Sequence, residues 1–219
     1  MSLKHTKEER SKFQLDRIAL FSDAVFAIAI TLLVIEIKVP VVSYESAHFN
    51  ENLKHAMQHM IPEFVGFLIS FIVIGQSWKT HHTMFGFVTD YDRKLLSLNT
   101  WLLFSIVCMP FTTGLMSRYL YFVPYLIYCI NILFMGLLQS ALWNHITSAK
   151  NHLNSDIPEG VKRFLNYNTV IVLGFFILSL AVHAFFGGGI ARAFLALIFI
   201  IQAMANRYFK KKYSLGRKY

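Results

Sequence analysis

Residues 18–37 read IALFSDAVFAIAITLLVIEI, and this stretch decides the fold. A helix rises about 1.5 Å per residue, so about 20 mostly apolar residues cross the hydrocarbon layer of a bilayer. Five further stretches meet that requirement, at about 61–78, 95–116, 120–143, 164–186 and 190–205. The fold class expected is therefore an all-α membrane protein with six transmembrane helices in a single domain over residues 1–219. No stretch is purely apolar; each carries Ser, Thr, Gly, Asn, Gln or a charge. Spans that pack against one another or line water have this character.

Composition excludes the soluble alternative. The chain has 219 residues, 55% of them hydrophobic and 15% charged. Soluble domains are about 45–50% apolar and about 25% charged. Six apolar runs leave too little polar sequence to coat them. The net charge of +9 suggests nucleic acid until the basic residues are placed. Seventeen of the 21 Lys and Arg lie in the arm before the first span, the connections after the second and fourth, and the tail. Lys38, Lys54, Arg118 and Arg192 lie on the other side. By the positive-inside rule both termini face the cytoplasm of the cell membrane, with an arm of about 1–14 and a tail of about 207–219. The partner implied is the lipid bilayer, not nucleic acid. The arm lacks a signal-peptide pattern.

Cysteine and histidine chemistry is sparse. Cys108 and Cys129 both sit inside apolar runs, so neither a disulfide framework nor a thiolate metal cluster is expected. His55 and His59 stand four apart in the connection 39–60. Two histidines without a third ligand read as a polar helical turn, and the expected metal complement is none. The expected loop between the third and fourth spans is 117–119, and Gly187, Gly188 and Gly189 form the turn between the fifth and sixth.

An ionisable residue within a span is costly and marks a functional or structural polar site. Asp23 is the clearest case. Ser22 precedes it, and Arg17 lies six residues back. The topology brings the end of the second span, with Trp78, Lys79, His81 and His82, to the same depth. A polar clamp between the first two spans is one reading; ion or proton transfer is the other. Glu36 and Glu63 fall at the external ends, Glu63 after Pro62 at an expected helix start, where the dipole favours an anion.

At about 100° per residue, Ala24, Ile28, Thr31, Leu32 and Ile35 fall within about 60° of one another's common direction. Asp23 and Ser22 fall at about −140° and +120° from Ile28. One face of the first helix is thus an aliphatic stripe with one hydroxyl, and the other carries polar anchors. Periodicity alone leaves open whether that stripe meets lipid, another helix or a pore.

Arg17-Ile-Ala-Leu-Phe21-Ser22-Asp23, an R-x-x-x-F-S-D string followed by AVFAIAITLLVIEIKVP, resembles the signature of the transmembrane-protein-175 family of potassium channels. The W-x-x-H-H of Trp78, His81 and His82 resembles that family more loosely. A chain with one six-span repeat resembles the prokaryotic members, whose assembly is a homotetramer with helix one lining a central pore. The resemblance implies a potassium-selective cation channel with K+ as permeant ion and no cofactor. It makes Ile28 the hydrophobic gate, with Leu32 and Ile35 as further constrictions. Thr31 becomes a hydroxyl layer bearing on selectivity. Arg17, Phe21, Ser22, Asp23, Trp78, His81 and His82 become the network bracing helix one, with the partner histidine of Asp23 left open. No TVGYG-like filter occurs in the chain. Glu36 stands at the expected outer mouth, where a carboxylate raises local cation concentration.

Two other function classes compete. A secondary transporter or proton-permeable carrier would use Asp23, His81 and His82 as a proton relay. Such a carrier predicts paired discontinuous helices in two halves; Pro110, Gly114 and Gly174 are weak candidates and no repeat is visible. An enzyme would need clustered reactive groups within the spans. His183, Asn131 and Gln139 are scattered, and no enzymatic activity is expected.

Overall fold

The structure, a computed structural model, describes residues 7–43, 48–154 and 156–213. Lys4, Arg217 and Lys218 of the basic termini lie outside the described residues. The chain runs α1 (Lys7–Leu32) with a 3-10 turn at Leu33–Glu36, α2 (Phe49–Phe85), α3 (Arg93–Val107), α4 (Met109–Arg118), α5 (Phe122–Thr147), α6 (Glu159–Phe186), α7 (Gly188–Leu195) and α8 (Leu197–Tyr213). Among the described residues there is no β-strand, and the only β-bridge is an isolated one, Val88 with Asn154. Six helical units are long and apolar enough to cross a membrane. The third is α3 followed by α4, and the sixth contains α7 and the first part of α8.

The break between α3 and α4 has a local cause. Pro110 stands in the first turn of α4 and has no N–H to continue the ladder from α3. Cys108 bridges the gap, donating its N–H to the Phe104 carbonyl and accepting from Thr112 N, both at 3.1 Å. Between α6 and α7 the chain reverses at Gly187, whose φ of +82° is left-handed backbone open to glycine. The turn is this one residue; Gly188 and Gly189 already belong to α7. The connection between α4 and α5 is residues 119–121, two residues later than the sequence suggests.

The largest departure is α2. It starts at Phe49, so most of the expected 39–60 connection is helical, and Pro62 lies inside the helix. Leu53, Met57, Ile61, Val65 and Leu68 recur at helical spacing through the proline, and this periodicity carries the helix across it. Glu63 is therefore well past the helix start, and the dipole argument for it falls. His55 and His59 do share the helix. Among the described residues no group of three or more His, Cys, Asp or Glu stands ready for a metal ion.

α5 packs on α3, α4 and α6, and α1 packs on α2, α3 and α4. Trp143, Tyr125, Tyr128, Phe26 and Phe176 are the largest fully buried side chains. Between apolar helices, association depends on close packing and interhelical hydrogen bonds. Here Thr113 Oγ1 donates to Ser70 Oγ at 2.7 Å, which lies 3.1 Å from Tyr128 Oη. Asn131 Nδ2 reaches the Ser105 carbonyl at 3.0 Å. Gly66 lies where any side chain would collide with the Ser117 hydroxyl.

Candidate pore helix and its brace

α1 has two distinct faces. Ser22, Phe26, Ala29 and Leu33 recur every three or four residues and are essentially fully buried against the bundle. The other face carries Ala24, Ile28, Thr31, Leu32 and Ile35, all exposed in the single chain. Ile28 is 59% exposed and Ile35 61%. Thr31 Oγ1 donates to the Ile28 carbonyl at 2.8 Å. Its proton is thereby committed to its own helix, and the oxygen lone pairs are left to face outward.

The buried side of α1 is tied down by two separate sets of hydrogen bonds. Trp78 Nε1 of α2 donates to Asp23 Oδ1 at 2.8 Å. His82 packs against the Trp78 ring, with centroids 5.7 Å apart. The second set runs through α3: Asn99 Nδ2 donates to Ser22 Oγ at 3.0 Å, and Asn99 Oδ1 lies 2.9 Å from His81 Nε2. Because the Asn99 oxygen can only accept, His81 carries its proton on Nε2 in this pairing. Ser22 completes the chain by donating to the Ile18 carbonyl at 2.9 Å. Ser22, His81 and Asn99 are all buried, so these bonds form where an unpaired polar group is expensive. His81 is further wedged between Phe26 and Phe85, the latter stacked at 4.3 Å.

The expected network is therefore only partly assembled in the single chain. Ser22, Asp23, Trp78, His81 and His82 gather at one level. Neither histidine is hydrogen-bonded to Asp23, which leaves no His–Asp pair at this site. Arg17 and Phe21 stay outside: Arg17 sits over the Phe13 ring at 5.9 Å, and Phe21 is 63% exposed. The helical angle explains this, since both lie within about 20° of the Ile28 direction rather than on the buried face.

At the far end of α1 the arrangement also differs from a free carboxylate at a mouth. Arg118 of α4 donates through Nη2 to the Glu36 carbonyl at 3.0 Å and lies 3.5 Å from Glu36 Oε2. Its Nε stands 3.6 Å from Glu63 Oε1. Glu63 Oε2 in turn accepts from the Lys38 backbone N–H at 3.1 Å. The Glu36 side chain folds over Gly114, where a larger residue would collide with it. One guanidinium thus joins the end of α1 to α2 and α4.

At the end of the bundle that carries both termini, Asp92 caps α3 by accepting from Leu95 N at 2.7 Å. It also meets His145 Nε2 at 2.9 Å. Burial pushes its carboxyl up, but the cap bond and His145 outweigh this and hold it below its ordinary value. Ser11 of α1 donates to neighbouring Asp90 at 2.6 Å.

Asn99 and Arg118 are the two site residues that sequence reasoning passed over. Asn99 is a polar side chain inside the third apolar run, which is a usable signal, but its partner Ser22 is 77 residues away. Arg118 is a basic residue at a span end in the sequence, which does not name its carboxylate partners.

The sequence profile of TMEM175, described as endosomal/lysosomal potassium channel TMEM175, matches residues 17–110, which include the α1 stripe and every member of both sets of bonds. A potassium channel of Streptomyces collinus is 38% identical over 136 residues, 60% of this chain and 64% of that protein. The match to it therefore spans less than two thirds of its length. A potassium channel of a Chryseobacterium species is 29% identical over 197 residues, 89% of this chain and 95% of that protein. The crystal structure of a lysosomal potassium-selective channel TMEM175 homologue from Chamaesiphon minutus superposes with a TM-score of 0.71 at 27% identity, covering 88% of this chain and 98% of that one. Over residues 17–110 the chain matches the TMEM175 family. The TMEM175 family is one of ion channels, not of enzymes. The six-span bundle corresponds to nearly the whole of the Chamaesiphon TMEM175 chain.

Proposed function

We propose that this protein is a potassium-selective channel in the cell membrane, formed by four copies of the chain around an axis lined by α1. The observation that carries the reading is the division of α1: the Ile28 face is exposed in the single chain, while the opposite face is bound to α2 and α3. A helix braced on one side and aliphatic on the other suits the wall of a narrow pore. Both termini lie in the cytoplasm, on the side rich in Lys and Arg.

Four Ile28 side chains around an axis form a ring in which water is poorly held, so the pore closes there by dewetting. Leu32 and Ile35 extend the apolar path outward. Thr31 presents four oxygens beside the ring, each with its proton already donated to the helix. These oxygens replace part of the hydration shell of a passing cation. K+ releases water more readily than Na+, so K+ is favoured without a TVGYG filter. The Asp23–Trp78 bond and the Ser22–Asn99–His81 set hold α1 at one depth while the stripe widens or closes. Glu36 contributes to the outer end through Arg118, which fixes the 3-10 turn that contains Ile35.

Reversal potentials in asymmetric K+ and Na+, measured across a bilayer holding purified protein, test the reading. A potential near the K+ equilibrium value and resolved single-channel currents are expected. A carrier working through Asp23, His81 and His82 would give proton-coupled flux and no unitary currents.

A further inference from the structure

Behind the brace, on another side of α2, lies a cavity of about 40 Å³ enclosed by α2, α5, α6 and α8. Neither α1 nor α3 contributes to it. Its walls are unusual for the interior of an apolar bundle: Gln76, Ser77, Thr80, Gln139, Asn168, Thr169 and Gln202 line it, together with Met135 and five other residues. No Asp, Glu, Lys, Arg or His is among them. Gln139 spends its amide protons on the Ser77 carbonyl at 2.9 Å and the Ser77 hydroxyl at 3.2 Å. Among the described residues, the amides of Gln76, Asn168 and Gln202 and the hydroxyl of Thr80 make no hydrogen bond to another protein group. None of these groups is sealed away from the cavity as an orphaned buried atom.

We propose that this cavity is a hydration site, filled by a small cluster of water that bridges α8 and α6 to the back of α2. An uncharged wall with unused donors and acceptors on three helices asks for a neutral ligand that both donates and accepts, and water does both. A cavity needs about 10–15 Å³ on this measure to hold one water, so about three fit. Dry cavities are apolar; this one is not. A cation is disfavoured because no anionic group offsets its charge. Within a bilayer the unbonded amides have no other source of hydrogen bonds unless water reaches them. Among the described residues no hydrogen bond joins Gln202 of α8 to α2 across this gap, so the water supplies the connection. The inference does not depend on the chain conducting ions.

Radiolytic hydroxyl-radical footprinting of the purified, full-length protein in lipid nanodiscs tests it, because radicals form from water and oxidise the methionine beside them. Met135, 4% exposed, lines the cavity, whereas Met109 is fully buried in the core and lines none of it. Met135 is expected to oxidise several-fold faster than Met109. In Gln202→Leu, and separately in Asn168→Leu at a half-buried position, its rate is expected to fall toward that of Met109. Equal rates for the two methionines in the unaltered protein overturn the proposal. So does fast oxidation that persists in both substituted proteins. Fast oxidation in detergent that vanishes in nanodiscs means that hydrocarbon fills the space, and overturns it too.

Discussion

Trp78 donates its indole N–H to Asp23 at 2.8 Å, and the bond joins two helices 55 residues apart in the chain. The carboxylate within the first span is thus held by a neutral donor on an aromatic platform, with His82 against its ring. A hydrogen bond to an ionised acceptor contributes about 1.5–3 kcal/mol, and this one acts at the level where α1 enters the bundle.

Removing that bond is expected to loosen assembly more than it alters chemistry. Asp23→Ala should lower the thermal unfolding midpoint and shift the purified protein from the proposed tetramer toward smaller species in size-exclusion chromatography. Trp78→Phe should act in the same direction. Unchanged assembly with altered current would instead place Asp23 in permeation.

Asn99 joins Ser22 and His81, so its loss leaves buried His81 Nε2 unpaired and removes one of the two bonds of Ser22. Asn99→Leu should cost more than either Ser22→Ala or a single surface substitution, at about 1–3 kcal/mol per group left unpaired. A double-mutant cycle between Asn99→Leu and Ser22→Ala, read by thermal unfolding, should show strong non-additivity. Additive effects would mean that the bond carries no shared energy.

On the proposed pore face the expected effects are on flux, since these side chains are exposed in the single chain. Ile28→Asn should wet the ring and raise K+ flux into liposomes. Thr31→Val should reduce the K+/Na+ permeability ratio read from reversal potentials. An unchanged flux removes the gate assignment, and an unchanged ratio removes the hydroxyl layer from selectivity.

Asp92 gives a pH dependence with a definite sign. Its folded carboxyl lies below the ordinary value of 3.8, so its contribution to stability is present above that value. The contribution is lost as the pH falls from 3.8 through the lower folded value. Asp92→Asn should flatten this acid limb in thermal unfolding scans. The effect is modest, since the carboxyl is 42% exposed and water screens it.

Much of the architecture is visible without coordinates because it depends on local quantities. Span count follows from the length of each apolar run, and all six recur as helices. The misjudged element, α2, shows where local rules conflict. Pro62 signals a helix start, whereas the apolar period on either side of it signals continuation, and the period prevails. The brace shows a different limit. Asp23, Ser22, Trp78 and His81 are identifiable as polar groups at one depth, but depth does not choose partners. Asn99, on a helix with no prior claim, takes His81 from Asp23.

The opening stretch carries both lessons. Its twenty residues alone determine a spanning helix with an aliphatic face and a polar face, because hydropathy and the 3.6-residue period are properties of the chain itself. Which polar groups are satisfied, and by what, was decided only when α2, α3 and α4 came to lie beside α1. Hydrogen bonds require atoms within about 3 Å in the correct direction, and no linear spacing specifies that between residues 77 positions apart. The same holds for Glu36: the sequence places it at the end of the helix, and tertiary packing puts it under Arg118.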